Sequence, residues 1–251
     1  MWRNSHLQIF KKLYNIDGDN MKKFIFKMIL LVLIILLIAS SVLLFLGYNY
    51  YCKSMDEKNL VNRVTDITSG KNFTKFDDLS KNYINAVIAV EDHRFYEHGA
   101  VDFISIGRAF FVNIRDKELK EGGSTITQQV AKNVCLSQEK NALRKIAEFF
   151  ASYDLEKNYS KNEIFELYVN TAYFGDGYYG IKQASKGYYN KTPDSLSLEE
   201  ASMLAGVPNA PSAYAPTKNF ELAKQRRSHV LKKMVEYNYI SQKDADIIIE
   251  K

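Results

Sequence analysis

An apolar run near the start of the chain constrains its fold more than any other feature. Residues Met28 to Gly47, MILLVLIILLIASSVLLFLG, contain no charged side chain. At about 1.5 Å of rise per residue, a helix of this length crosses the roughly 30 Å hydrocarbon core of a bilayer. The sequence therefore predicts a transmembrane helix over residues 28–47, with the folded part of the chain after it.

The charges around this run predict its orientation. Residues 1–27 hold six basic and two acidic side chains, a net charge of +4, whereas the whole chain carries +5. Because basic segments stay on the inner side of the membrane, we expect residues 1–27 in the cytoplasm and the remainder outside. A cleaved signal peptide is the alternative, but both segments are long for one and no A-x-A site follows.

Composition excludes several other classes of protein. Residues 28–251 are left with a net charge of +1, which argues against nucleic acid as a partner. The two cysteines cannot form a disulfide framework or a cysteine-based zinc site. At 46% hydrophobic and 25% charged residues, the chain has the composition of a folded protein.

Beyond residue 75 the apolar residues recur at helical spacing, and few runs alternate with the period of two that is typical of strands. We interpret residues 48–75 as a juxtamembrane connection and expect one mainly helical extracytoplasmic domain over residues 76–251, large enough to bury a core. Three capping boxes predict helix starts: Thr125 with Gln128, Ser160 with Glu163, and Ser197 with Glu200.

Glu91 is the first candidate for chemistry. It continues the apolar helix face formed by Ile84 and Ile88. A carboxylate at the end of such a stripe has its charged form disfavoured, so its pKa rises toward that of a general base. The alternative is an ordinary helix end with solvated charges. His93 and His98 lack a third ligand at suitable spacing, and we interpret them as structural rather than metal-binding.

The segment Gly122–Lys132, GGSTITQQVAK, is the second candidate. Its hydroxyls and amides come at the first turn of a helix, where free N–H groups favour anions. Lys132 lies four residues after Gln128, on the same helix face. The pattern suits a phosphate or pyrophosphate beside sugar hydroxyls, and a capped helix after a loop is the alternative.

Arg144 and Glu148 form a third cluster, spaced i, i+4. The functional interpretation places Glu148 in a cleft beside Arg144 and Lys132. The alternative is a surface ion pair worth about 0.2–0.5 kcal/mol.

A G-x-G-x-x-G pattern, Gly175–Gly180, follows a helical stretch instead of a strand, so we reject dinucleotide binding.

Five segments together resemble the ordered motifs of peptidoglycan glycosyltransferase family 51, the transglycosylase module of class A penicillin-binding proteins and monofunctional glycosyltransferases. The resemblance implies a lysozyme-like, mainly α fold. It also implies polymerisation of lipid II into β-1,4-linked glycan strands outside the membrane, with inversion and release of undecaprenyl pyrophosphate. The five segments are Glu91–Gly99, Gly122–Gln129, Arg144–Glu148, Lys161–Asn170 and Ala201–Pro208.

The same resemblance assigns roles to individual residues. It implies that Glu91 is the catalytic base and that Glu148 is a second catalytic glutamate, which orients cationic groups or a divalent ion. The substrate-binding residues that it implies are Arg108, Ser124, Thr125, Gln128, Gln129, Lys132, Lys140, Arg144 and Lys145.

The resemblance implies lipid II, the growing glycan strand and the membrane as partners, and it leaves open proteins of a cell-wall synthesis complex. It assigns no cofactor and leaves open a divalent cation, Mg²⁺ or Mn²⁺, at the pyrophosphate. Two other functions remain as alternatives. A lytic muramidase would need a protonated glutamate near the glycosidic oxygen and no pyrophosphate cradle. An inactive scaffold of cell-wall assembly would not need both glutamates.

Overall fold

The structure is a computed structural model, and it describes residues 18–116, 123–136 and 141–250. These residues form helices joined by turns, and they include no strand. One isolated bridge joins Tyr173 to Tyr179. The mainly helical class predicted from the sequence is therefore confirmed.

The N-terminal helix, α1, spans Gly18–Glu57. Its part from Asn20 to Glu57 is long and apolar enough to cross a membrane, and the side chains of its most apolar stretch are exposed. The hydroxyls of Ser40 and Ser41 donate to backbone carbonyls one turn earlier, so neither is left without a partner in an apolar surrounding. The chain divides into one compact unit that ends at Gly47 and a second, Tyr48–Lys251.

The second unit contains the remaining helices, which differ widely in length. A π-helical turn, Ala131–Cys135, continues the short helix Ile126–Val130. The helices in chain order are α2 (Leu60–Thr68), α3 (Lys81–Glu91), α4 (Phe103–Asp116), α5 (Ile126–Val130), α6 (Ala142–Asn158), α7 (Lys161–Thr171), α8 (Ile181–Tyr189), α9 (Leu198–Gly206), α10 (Pro211–Tyr214), α11 (Phe220–Glu236) and α12 (Gln242–Ile249).

The three capping boxes predicted from the sequence are all present, at the starts of α5, α7 and α9. In each, the hydroxyl of the capping residue accepts from a backbone N–H while the later side chain accepts from the cap's own N–H. A fourth box, Ser241 with Asp244, begins α12. These boxes satisfy backbone groups that the helix itself leaves unpaired, which is why a local sequence pattern predicts them.

Residues 48–75 hold the end of α1 and the short helix α2. Asn59 caps α2, and Leu60 and Val64 are buried. The guanidinium of Arg63 donates to the backbone carbonyl of Val134 at 3.2 Å. The segment is thus packed against the π-helical turn and α7.

Two groups of helices build the core around the site. Helices α3, α9 and α11 pack against one another, and α5 packs against α6 and α7. Tyr83, Leu204 and Leu231 are fully buried in the first group, and Ile126 and Leu155 in the second. Glu91, the last residue of α3, accepts a hydrogen bond from Gln129 of α5, which links the two groups.

The Gly175–Gly180 segment makes a tight turn between α7 and α8. Gly175 and Gly180 have φ angles of 82° and 81°. A Cβ on Gly180 would lie 3.0 Å from the backbone oxygen of Asn170, and one on Gly175 would lie 2.7 Å from the Cβ of Ala215. Backbone geometry and close packing therefore account for the glycines of this pattern.

Candidate active site

Glu91 is the last residue of α3, and its side chain is only 8% exposed. Ser80 caps the other end of the helix by accepting from the backbone N–H of Tyr83. Ala86, Val87 and Ile88 bury the face that packs against α9 and α11. The helix predicted from the apolar stripe is thus capped and largely buried, and it ends in a carboxylate.

The two oxygens of Glu91 have different surroundings. Oε2 accepts a hydrogen bond of 2.7 Å from the side-chain amide of Gln129. Oε1 lies 3.6 Å from Nη2 of Arg226, too far for a hydrogen bond. Burial raises the pKa of Glu91 above its ordinary value, although the Gln129 hydrogen bond and the charge of Arg226 act in the opposite direction. Oε1 is therefore a buried carboxylate oxygen without a hydrogen bond in the described part of the chain.

Asp92, the next residue, is held on both of its oxygens. Oδ2 accepts from the backbone N–H of Ile126 at 3.0 Å, and Oδ1 lies 2.8 Å from Nε2 of His98. The other ring nitrogen of His98 faces the carbonyl of Gly99 at 2.6 Å. Two acceptors around one imidazole require both nitrogens to carry hydrogen. Burial lowers the pKa of His98, but Asp92 and the Gly99 carbonyl raise it overall.

The contacts of Asp92 with Ile126 and His98 form a clamp that positions α5 beside Glu91. Ile126 is the first residue of α5, so its bond to Asp92 fixes where that helix begins. Thr125 and Gln128 form the capping box, and the Thr125 hydroxyl also donates to the carbonyl of Ala100 at 3.0 Å. These two predicted substrate-binding residues thus hold the helix start, while Gln129 turns toward Glu91.

A cavity of about 380 Å³ opens in front of Glu91. Among the described residues, the predicted site residues that line it are Glu91, Arg108, Ser124, Gln129 and Lys132. The other residues of its lining, which the sequence analysis did not assign to substrate, are Ala89, Val90, Asp92, His93, Pro208, Asn209, Arg226, His229, Lys233 and Tyr237.

The sequence analysis missed the contribution of α11. Arg226, His229 and Lys233 line the cavity and are spaced i, i+3 and i+7, so they share one helix face. Tyr237, just beyond the helix, stacks on His93 with ring centroids 4.3 Å apart. Burial lowers the pKa of His229, and the charges of Arg226 and Lys233 lower it further. Basic side chains spaced i, i+3 and i+7 in the sequence are the signal that would have predicted this face of α11.

Glu148, on α6, is a buried carboxylate with a cationic side chain near each oxygen. Its side chain is 4% exposed, Lys145 donates to Oε2 at 2.8 Å, and Nε of Arg144 lies 3.5 Å from Oε1. The same Lys145 ammonium donates to the hydroxyl of Ser124 at 2.9 Å. Glu148 is therefore joined to the cavity wall through Lys145 and Ser124, and an exposed surface pair does not describe it. Lys140 lies outside the described residues.

A second cavity, of about 850 Å³, adjoins the first. The two share Gln129, Lys132, Pro208 and Asn209 in their linings. Tyr168, Tyr173 and Tyr179 are among the residues that line the second, and the rings of the last two lie 4.7 Å apart. Two adjacent cavities therefore meet at Gln129 and Lys132.

One cluster among the described residues holds three ligand-type side chains, but it does not fit a resident divalent cation. Asp92, His98 and Asp102 bring ligand-type atoms within 4.8 Å of one another. However, the two oxygens of Asp92 are occupied, and His98 carries hydrogen on both nitrogens. Asp102 accepts from Ser105 and from the backbone of Ile104. Glu148 has a cationic side chain near each oxygen, whereas Mg²⁺ and Mn²⁺ need free oxygen donors.

Comparison with known proteins places this geometry in context. Residues 57–235 match the family model described as transglycosylase. Penicillin-binding protein 1F of Bacillus subtilis (strain 168) is 39% identical over 231 residues, which cover 84% of this chain and 32% of that protein. Penicillin-binding protein 1A of Neisseria flavescens is 46% identical over 176 residues, 70% of this chain and 22% of that one.

A shorter relative matches more of its own length. A protein named as a transglycosylase from Cupriavidus necator is 47% identical over 161 residues, which cover 64% of this chain and 69% of that protein. The chain spans about a third or less of the length of the two penicillin-binding proteins.

Proposed function

This chain belongs to the transglycosylase family, and from that premise we propose that it is a peptidoglycan glycosyltransferase that polymerises lipid II. The observation that carries the proposal is the largely buried carboxyl of Glu91, whose pKa is raised, at the wall of a cavity lined by cationic side chains. Those side chains are Arg108, Lys132, Arg226 and Lys233.

In the proposed reaction Glu91 acts as the general base. It takes the proton from the 4-hydroxyl of the acceptor sugar while that oxygen attacks the anomeric carbon of the donor. The bond from the anomeric carbon to the pyrophosphate oxygen breaks as the new β-1,4 bond forms, so the configuration inverts. Undecaprenyl pyrophosphate leaves as an anion and needs no proton from a carboxylic acid.

The cationic lining supplies what this leaving group needs. Negative charge grows on the pyrophosphate oxygen in the transition state, and fixed positive charges stabilise it there. Lys132, on the π-helical turn that continues α5, lies at the boundary of the two cavities, whereas Arg226 and Lys233 come from α11. We assign Lys132 to the donor pyrophosphate, and Glu148 to holding Lys145 against Ser124 at the same wall.

The membrane anchor follows from the same proposal. Lipid II and its lipid-linked product are held in a bilayer, so an enzyme that acts on them benefits from a segment that keeps it at that surface. Helix α1 contains a candidate span, Asn20–Glu57. We propose that this span anchors the protein with residues 1–27 in the cytoplasm and residues 76–251 outside.

The decisive experiment offers the full-length protein two substrates. With labelled lipid II, we expect a ladder of glycan polymers from the wild type and none from Glu91→Gln, while both proteins retain lipid II on filter binding. With finished sacculi, we expect no soluble muropeptides. Muropeptides from sacculi without polymer from lipid II would establish a lytic muramidase instead, and lipid II binding without either product would establish a scaffold.

A further inference from the structure

Two side chains join the last turn of α1 to the end of the π-helical turn. The guanidinium of Arg63, on α2, donates from Nη2 to the backbone carbonyl of Ser54 at 2.6 Å and from Nε to that of Lys58 at 2.7 Å. From Nη1 it donates to the carbonyl of Val134 at 3.2 Å. The hydroxyl of Ser54 donates to the carbonyl of Cys135, the last residue of the π-helical turn and 81 residues away in the chain.

These bonds satisfy the ends of two helices at one place. The last carbonyls of a helix have no partner within it, and Ser54 and Val134 lie in the last turns of α1 and of the π-helical turn. Each helix end also carries roughly half an elementary negative charge. A planar guanidinium donates in several directions, so Arg63 satisfies carbonyls of both helices and offsets the repulsion between their ends. It therefore fixes where the π-helical turn ends relative to the last turn of α1.

The π-helical turn leads directly into the site. Lys132 is its second residue and lines both cavities. Gln129, three residues earlier on α5, donates to Oε2 of Glu91 at 2.7 Å. Turns of π-helix within α-helices are rare and occur frequently at functional sites. The backbone that carries Lys132 thus has the bond to Glu91 before it and the contact with Arg63 after it.

We propose that Arg63 is a positioning residue for Lys132. It holds the end of the π-helical turn against the last turn of α1, and the turn presents the Lys132 ammonium to a pyrophosphate at the boundary of the two cavities. Arg63 also lines the second cavity. Its Nε and both terminal nitrogens donate to backbone carbonyls, however, so we assign it to the backbone and not to the substrate. The inference rests on the proposed function, which assigns Lys132 to the donor pyrophosphate.

The test measures the binding of inorganic pyrophosphate to the full-length protein by titration calorimetry, which does not depend on activity. Lys132→Met should weaken binding by about tenfold, the size of one charge-assisted hydrogen bond. Arg63→Met should weaken it by about fivefold, because a displaced ammonium keeps only part of that bond. The double variant should bind no more weakly than Lys132→Met, since a residue that acts only through Lys132 has nothing further to lose.

Two further variants separate positioning from stability. Ser54→Ala deletes the single hydroxyl that donates to Cys135, and we expect a loss of about twofold that disappears in the Lys132→Met background. Arg227→Met is the matched control. Arg227 is a buried arginine that donates to the carbonyl of Ile248 in the last turn of α12 at 3.0 Å, and it lies outside the described linings of both cavities. Its replacement should leave pyrophosphate binding unchanged, whatever its effect on thermal stability.

Several results overturn the inference. If Arg63→Met binds pyrophosphate as tightly as the wild type, Arg63 does not position Lys132. Losses that add in the double variant would show that Arg63 contacts the anion itself. A loss in Arg227→Met as large as that in Arg63→Met would reduce the effect to general destabilisation. A wild type that does not bind pyrophosphate, or a Lys132→Met variant that binds it equally well, also overturns the inference.

The lipid II assay separates this inference from the proposed function. Polymerisation by the wild type together with unchanged binding in Arg63→Met rejects the inference alone. The expected pattern of pyrophosphate binding in a wild type that makes no polymer upholds the inference and rejects the proposed function.

Discussion

Two buried glutamates near one cavity accept hydrogen bonds from donors of different charge. Glu91 accepts one from the neutral amide of Gln129, and Arg226 lies 3.6 Å from its other oxygen. Glu148 accepts one from the ammonium of Lys145, and Arg144 lies 3.5 Å from its other oxygen. Burial is similar at the two positions, so burial alone does not distinguish them. In the mechanism that we propose, the charge of the hydrogen-bond donor decides which carboxylate accepts a proton and which one orders its cationic neighbours.

Glu91→Gln tests the first half of this comparison and should have the largest effect. Without a base, turnover of lipid II should fall by about 10³-fold, within the range that general-base catalysis contributes. Steady-state assays with labelled lipid II measure it. Glu97→Gln is the control, because Glu97 lies in the same segment but its side chain is 68% exposed. Equal activity of the Glu91 and Glu97 variants would end the assignment of the base.

Glu148→Gln tests the second half. Lys145 and Arg144 would lose their charged partner, so the free energy of unfolding should fall by about 1–3 kcal/mol. Turnover should fall by about 10²-fold, because Lys145 would no longer hold Ser124 in place at the wall of the cavity. Denaturant unfolding and the polymerisation assay measure the two effects. If Glu148→Gln is as stable as the wild type, the contrast between the two glutamates is lost.

Arg226→Met sharpens the description of Glu91. The arginine lies 3.6 Å from Oε1 and lowers the pKa of Glu91. Its loss should therefore raise that pKa, and the acidic limb of the kcat/KM profile should move up by about one pH unit. If the acidic limb of the kcat/KM profile does not move, a group other than Glu91 controls it.

Ser124→Ala should have a smaller effect. It removes one hydrogen bond to Lys145 and leaves the Lys145–Glu148 pair intact. We expect kcat/KM to fall two- to tenfold, the size of one ordinary hydrogen bond, with no change in the pH profile. A loss as large as that of Glu148→Gln would show that Ser124, and not the ion pair, governs this wall.

The stability of Glu91→Gln should change with pH in a direction opposite to that of most carboxylate variants. The folded-state pKa of Glu91 is raised, so this group contributes stability at low pH that is lost as pH rises through the folded value. The variant should be more stable than the wild type at neutral pH, by a few degrees in Tm. The difference should disappear on acidification, as calorimetry at several pH values can check.

The parts of the site that follow from local sequence were predictable. Capping boxes at Thr125, Ser160 and Ser197 need only residues three apart, and Glu91 needed only the apolar stripe of its own helix. The cationic face of α11 was not predicted, because its role depends on packing against α3 across more than a hundred residues. For Glu148 the sequence left a cleft and a surface ion pair as alternatives, since i, i+4 spacing does not distinguish a surface pair from an interior one, and the structure places it in the interior.

The clamp at Asp92 has a consequence for the residue before it. Two consecutive carboxylates at a helix end would ordinarily compete for one proton. Here both oxygens of the second, Asp92, are held by Nε2 of His98 and the backbone N–H of Ile126, whereas Oε1 of Glu91 has no hydrogen bond within the described chain. The contact that places the first residue of α5 is thus one peptide bond away from Glu91, the residue that we propose as the base.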